Sequence, residues 1–327
     1  MPLTLFLYKP LLITRKARSS IIVHYNSGDY REYKLRDISS IIVIGSKTNI
    51  RSDVLSLLAS YNIPLAVVNK LGVSILYNPI KVLHPVTRMS QYTLSEEEKR
   101  AIAYHYIRSK LTGLKNILKY HRITPPPILY DEEAFNRDID LLKWESINSR
   151  RLWRHVIRLL KDSVIKELVE KYEFHGRLPR HNDPFNKALS LLYALTYSVA
   201  TRALLAAGLD PSYGVLHKTR YSTPLTFDYT EMYKPPCIHA TINTLNNFRL
   251  ELDSEGILTK ASIKPLVKEY FRIITARNKN TGKTTYHYIY SKAYRLAEYI
   301  RFKKNIRRIV YIYNPSNLVF GRRNKGQ

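Results

Sequence analysis

Acidic residues are scarce in this chain. Asp and Glu number 26 against 53 Lys and Arg, which leaves a formal charge of +27 over 327 residues. Such an excess repels itself unless a polyanion takes it up, so nucleic acid is the leading partner. A membrane surface is the other large source of negative charge. No basic amphipathic helix stands out, however, and the positive charge is spread along the whole chain, so no membrane partner is expected. Cysteine is almost missing. The single one, Cys237, excludes an internal disulfide framework and any Cys-rich zinc module, and it suits a reducing cytoplasm. The first residues carry no basic segment followed by a long apolar one, so no signal peptide is expected. Long apolar runs are limited to residues 188–209, a length that invites comparison with a membrane span. Arg202 interrupts that run, and Ser190, Thr196, Ser198 and Thr201 dilute it, which reads as a buried central helix. No internal repeat or low-complexity block is present.

Apolar residues make up 45% of the chain, enough for a substantial core and for two domains. Residues 1–80 are rich in Ile, Val, Leu and Tyr, with short apolar runs at 3–7, 11–14, 21–24, 31–35, 41–44, 65–68 and 73–76 separated by turn signals such as Asn26-Ser27-Gly28-Asp29. This predicts a β-rich domain of two small sheets. One helix interrupts it, with Asn49 or Ser52 as cap and Val54, Leu57, Leu58 and Tyr61 on one face. Asn78-Pro79 and His84-Pro85 bracket a linker at 81–90, since residues before proline avoid the helix. From 91 to 320 the pattern is helical. Ser95 and Glu98 form a capping box, and Ala103, Ile107, Leu111, Leu114 and Leu118 trace an apolar stripe behind it. Further helices are predicted at 133–142, 144–172, 186–207, 228–250, 262–277 and 290–304, with a basic disordered tail at 321–327. The fold class is therefore α+β, a β-rich domain followed by a larger all-α domain.

The stretch 208–235 carries the candidate chemistry. Gly208-Leu209-Asp210-Pro211 ends the apolar helix, Gly214 and His217 follow, and Asp228 and Glu231 come next at i, i+3 spacing. That spacing predicts two carboxylates side by side on one helix face. One imidazole and two carboxylates make a mixed N/O set suited to a divalent metal. The same carboxylates also fit a helix start, where they complement the macrodipole. Glu145, in Trp144-Glu145-Ser146-Ile147-Asn148-Ser149-Arg150, reads either as a third ligand beside phosphate-binding arginines or as part of a surface salt-bridge face.

A resemblance decides between these readings. The Asp183-Pro184-Phe185-Asn186 opening with Leu189 and Tyr193, the 208–217 stretch, Leu225-Thr226-Phe227-Asp228 with Glu231 and Pro235, and Trp144-Glu145 with Arg150 together resemble the catalytic subunit of the CRISPR spacer-acquisition integrase, the Cas-one family. The likeness implies a metal triad of Glu145, His217 and Glu231, with Asp228 as a supporting carboxylate and Mg²⁺ or Mn²⁺ as cofactor. It implies that the 3′-hydroxyls of short DNA fragments are joined into a repeat by transesterification, with nuclease activity when water attacks instead. It also implies double-stranded DNA, a homodimer formed by the N-terminal strands, and a small ferredoxin-like adaptation subunit, the Cas-two protein, as partners. Arg150, Lys218 and Arg220 lie near the ligands in sequence and are the expected phosphate contacts. Two departures stand out. The residues after the glutamate are Asn148, Ser149, Leu152 and Trp153, with the aromatic displaced by one, and an Arg-Pro pair is replaced by Lys234-Pro235, which loses bidentate phosphate recognition. Rival readings are a catalytically silent scaffold of the same family, an RNA-binding protein, and a transposase built on the same catalytic domain.

Overall fold

A computed structural model describes residues 3–45, 47–69, 72–77, 85–178, 181–217 and 223–320. The chain is α+β. Strands β1 (Leu3–Tyr8), β2 (Leu12–Ala17), β3 (Ser20–His24), β4 (Tyr30–Lys34), β5 (Ile38–Ile44), β6 (Asn49–Ile50), β7 (Leu65–Asn69) and β8 (Gly72–Leu76) surround one helix, α1 (Ser52–Ser60). They form two four-stranded sheets, ordered β1-β5-β7-β8 and β4-β3-β2-β6. The expected strands are all present, within a few residues at their ends. The expected cap of α1 is not: its first turn is preceded by Arg51 and has no side-chain cap.

In the first sheet β1, β5 and β7 run parallel. Every residue of β5 is buried, as a strand covered on both faces must be. Side-chain alternation divides its two faces between two cores. Leu7, Ile41, Val43 and Leu65 face the second sheet and Val54, Leu57 and Leu58 of α1. Ile42, Ile44 and Ala66, with Phe6, Tyr8 and Val68 beside them, join the core of the helical half. The face that 80 residues cannot cover alone is thus covered from within the same chain. Arg202 Nη1 donates to Ile38 O at 3.2 Å and Lys9 pairs with Asp253 at 2.7 Å across the same boundary.

The helices are α2 (Pro85–Tyr92), α3 (Glu96–Tyr120), α4 (Asp131–Asn136), α5 (Leu141–Ile157), α6 (Asp162–Tyr172), α7 (Pro184–Ala206), α8 (Pro224–Thr230), α9 (Lys234–Leu245), α10 (Lys260–Ile274) and α11 (Thr285–Phe302). The Ser95–Glu98 capping box forms on α3 with both reciprocal bonds. Three expectations are corrected. The span 133–142 breaks at Arg137, which is left-handed at φ 78°, and Asp140 then caps α5. The span 144–172 divides at 158–161 into α5 and α6. The span 228–250 begins earlier, at Pro224, and a 3₁₀ turn at Glu231–Tyr233 separates α8 from α9, whose first turn holds Pro235 and Pro236. The expected linker 81–90 contains part of α2, and the tail 321–327 lies outside the described residues.

Helix α7 is the axis of the helical half, packed against β5 and β7 on one side and α8, α9 and α11 on others. It is the one helix among the described residues long and apolar enough to cross a bilayer, and 83% of its apolar window is buried inside the protein. Two of its hydroxyls bond other elements: Thr196 with Tyr270 and Cys237, Thr201 with Thr226. Asp183 caps its start with Pro184 in the first turn, and Gly208 (φ 82°) closes its end. There Gly208 N–H bonds Leu205 O and Leu209 N–H bonds Leu204 O, a Schellman closure that requires the left-handed residue.

His239 on α9 offers a check on this core. It faces Tyr313 Oη at 2.7 Å, and burial, aided by His121 and Arg272, lowers its pKa to about 3 from the ordinary 6.5. The unfolded chain therefore takes up this proton first on acidification. Stability from this group is complete above pH 6.5 and is lost progressively toward pH 3, at up to about 1.4 kcal/mol per pH unit. We expect His239→Gln to flatten the fall of Tm over that window; an unchanged slope would contradict the assignment.

Candidate active site

Glu145 is set by its neighbours on α5. Trp144 is fully buried, stacks on Tyr104 and donates from Nε1 to Leu129 O at 2.7 Å. One turn on, the Asn148 amide pairs with Leu129 through both N–H and C=O. These contacts fix the roll of α5 and turn Glu145 inward. Ser149 Oγ donates to Glu145 Oε1 at 2.7 Å. Asn148 and Ser149, read as departures in the sequence, are the residues that hold the glutamate.

Glu145 meets Glu231 across a lysine. Lys110, on α3, places Nζ 2.5 Å from Glu145 Oε1 and 2.9 Å from Glu231 Oε2. Glu231 Oε1 is paired with Lys234. The side chains of Lys110 and Glu231 are only 9% and 6% exposed. Burial alone would raise the Glu231 carboxyl, but Lys110 and then Lys234 outweigh it and hold its pKa at about 2. Burial disfavours the Lys110 ammonium, and Glu231 and Glu145 more than reverse that. Glu145 is likewise pushed up by burial and brought below the ordinary value by Lys110. Lys110 is the residue that sequence reasoning missed. Its signal was a charge on the apolar stripe, three residues after Ile107 and four before Leu114.

Asp228 and Glu231 take different partners despite their i, i+3 spacing: Glu231 pairs with Lys110 of α3 and with Lys234, Asp228 with His217. Asp228 is 1% exposed and turns to the 208–217 loop. Its Oδ2 accepts Val215 N–H at 2.7 Å and Leu216 N–H at 2.9 Å, and Oδ1 accepts His217 N–H at 3.2 Å. The same Oδ1 lies 2.5 Å from His217 Nδ1. An imidazole donating Nδ1–H to a carboxylate keeps its lone pair on Nε2 when neutral. On the other side of the loop Gln91 donates to Asp210 O and Tyr213 O and accepts Asp210 N–H, so α2 braces the segment that Asp228 orders.

Two tyrosines one turn apart on α7 complete the surroundings. Tyr193 lies under the Lys234 ammonium and the Arg177 guanidinium, both 5.6 Å from its ring. Arg177 is held there by Asn186 Oδ1 at 2.8 Å, which gives the Asp183…Asn186 motif its structural meaning. Tyr197 packs edge-on against Phe227. Of the expected phosphate contacts, Arg150 is exposed and begins a line with Arg154 and Arg158 along α5. Lys218 and Arg220 lie outside the described residues.

The donor set suits a hard divalent cation. A buried carboxylate, Glu231, and a partly buried one, Glu145, already converge on one positive charge, and Glu231 Oε2 has no hydrogen bond of proper geometry despite its 2.9 Å approach to Lys110. Such oxygens match the preferences of Mg²⁺ or Mn²⁺. Among the described residues no three His, Cys, Asp or Glu side chains meet at one point. His217 is joined to Asp228, whereas Glu145 and Glu231 are joined through Lys110.

Comparison with known proteins bears on the family and the fold. The family model described as CRISPR associated protein Cas1 matches residues 5–272. A CRISPR-associated endonuclease Cas1 from Hyperthermus butylicus is 39% identical over 137 residues, covering 40% of this chain and 41% of that relative's length. Among solved structures, a casposase bound to integration product superposes with a TM-score of 0.77 at 18% identity, over 92% of this chain and 91% of that one. A chain of a Cas6-RT-Cas1–Cas2 complex superposes at 0.70 and 18% identity, over 94% of this chain and 36% of that larger one. These structural likenesses concern the fold.

Gly214 supports the His217 loop by having no side chain. A Cβ there would lie 2.5 Å from His217 O, 2.8 Å from Pro224 Cβ and 2.9 Å from Asp228 Oδ2. We expect Gly214→Ala to lower stability by about 1–3 kcal/mol, the usual cost of overpacking, and to disturb the His217–Asp228 pair. A variant with unchanged Tm and an unchanged His217 NMR signal would contradict this.

Proposed function

Because the chain belongs to the Cas1 family of CRISPR-associated proteins, we propose that it is the metal-dependent DNA integrase and endonuclease of CRISPR adaptation. The observation that carries this reading is the convergence of Glu145 and Glu231, both carboxylates, on one buried ammonium, in a chain that also holds a carboxylate-paired histidine, His217. Glu145, Glu231 and His217 would hold a Mg²⁺ or Mn²⁺ ion, which when bound supplies charge stabilisation to the attacking and leaving oxygens of a phosphodiester.

The chain's own residues do the rest. Asp228 orients His217 and keeps its neutral form directed at the site. Tyr193 and Tyr197 wall one side, and Lys234 and Arg177 place positive charge where phosphate approaches. Arg150, Arg154 and Arg158 are suited to track a DNA backbone along α5. In the joining reaction a 3′-hydroxyl oxygen of the incoming fragment bonds to a repeat phosphorus while the bond from that phosphorus to its former 3′ oxygen breaks. One phosphodiester is made for each one broken, so no external energy source is needed. Water in place of the hydroxyl gives strand cleavage. The proposed partners are double-stranded DNA, a second copy contacted through the N-terminal strands, and the small Cas2-type subunit. The Cas1–Cas2 complex among the similar folds supports the last of these.

The test is strand transfer of 3′-hydroxyl DNA into a repeat-bearing plasmid with Mn²⁺. We expect Glu145→Ala, His217→Ala and Glu231→Ala each to lose at least about a hundredfold in rate, as removal of a metal ligand does, while DNA binding and the circular dichroism spectrum persist. Near wild-type turnover by any one of them would remove that residue from the triad.

A further inference from the structure

Lys110 has no part in the ligand set just proposed, yet it occupies the space those ligands share. Its ammonium bridges Glu145 Oε1 and Glu231 Oε2, and the second oxygen of Glu231 is taken by Lys234. The four groups close a neutral unit: two carboxylates against two ammoniums. The Lys110 side chain is 9% exposed, which leaves little of it to meet a phosphate arriving from solvent. We propose that Lys110 is a built-in counter-ion that a divalent cation must displace, so that this one lysine sets how tightly the site takes metal. This rests on reading Glu145 and Glu231 as metal ligands.

The charge count makes the case. Two carboxylates this close, one buried and one partly buried, would repel each other without a counter-ion, and Lys110 removes that penalty in the metal-free protein. A divalent ion competes for the same oxygens. If both ammoniums stayed, the neutral unit would become a buried site of charge +2, because a neutral His217 adds none. Metal binding is therefore opposed by Lys110 and helped by an incoming DNA phosphate, whose negative charge offsets the excess. Lys234 is more exposed, at 19%, and sits at the rim over Tyr193, where it has room to turn to that phosphate. Lys110 lies in mid-helix on α3 with Ile107, Leu111 and Leu114 buried around it, and its ammonium is engaged by the two carboxylates.

The experiment compares Mn²⁺ binding, read by the EPR signal of free Mn²⁺, and metal-induced Tm shifts in the wild-type protein, Lys110→Met and Lys110→Arg. Lys110→Met is expected to melt lower without metal, to bind Mn²⁺ about tenfold more tightly, and to gain more Tm from it than the wild type. Lys110→Arg, which keeps the charge, is expected to stay close to wild type. Should Lys110→Met fail to fold without metal, Lys110→Gln keeps a donor for the carboxylates and is expected to show the same tighter binding. A folded Lys110→Met or Lys110→Gln protein that binds Mn²⁺ no better than wild type overturns the lysine's role alone, provided that Glu231→Gln still abolishes wild-type binding. Absence of Mn²⁺ binding in every variant and in the wild type overturns both this role and the ligand assignment.

Discussion

Two carboxylates, one buried and one partly buried, within reach of one buried ammonium are the constraint on which this structure turns. Glu145 comes from α5, Glu231 from the 3₁₀ turn before α9, and Lys110 from α3, so the ion cluster joins three elements far apart in sequence. Without a positive charge between them the glutamates could not be buried together, because desolvation and mutual repulsion act in the same direction. With it they are ionised and fixed. That is the state a site for a hard cation needs before the cation arrives.

The rest of the helical half holds this cluster and orders the His217 loop. Helix α7 spans the core and ends in a glycine closure at Gly208, where the chain turns into the loop that Asp228 gathers with three backbone bonds. Gly214 permits the close approach, and Gln91 braces the far side. The N-terminal sheet contributes by covering α7 through Ile42, Ile44 and Ala66. The strands are thus part of the support of the site as well as the expected surface for a second copy, and the Cas1-type fold is one body in which the sheet and the helices depend on each other.

Much of this was legible in the sequence. Short apolar runs between turn signals located the strands, and the capping box and the apolar stripe of α3 were local patterns that tertiary contacts did not overrule. The candidate ligands were legible mainly through a family resemblance, since spacing left Asp228 and Glu231 open to a capping role. What periodicity missed was a change of helix type. Pro235 and Pro236 open a new helix after a 3₁₀ turn, and Glu231 and Asp228 take different partners. The division at 158–161 was hidden because apolar spacing runs on through it. Lys110 was hidden for another reason: a lysine on an apolar stripe reads as tolerated exposure until its partners are known, and both lie more than thirty residues away.

The most direct measurement is a crystal structure of the protein soaked in Mn²⁺, with data collected at the manganese absorption edge. A single anomalous peak per chain flanked by Glu145, Glu231 and His217, with the Lys110 ammonium withdrawn from the glutamates, is the result expected. A peak at another cluster of residues, or no peak with the Lys110 bridge still in place, would contradict the assignment of this site as a metal-dependent DNA-processing centre.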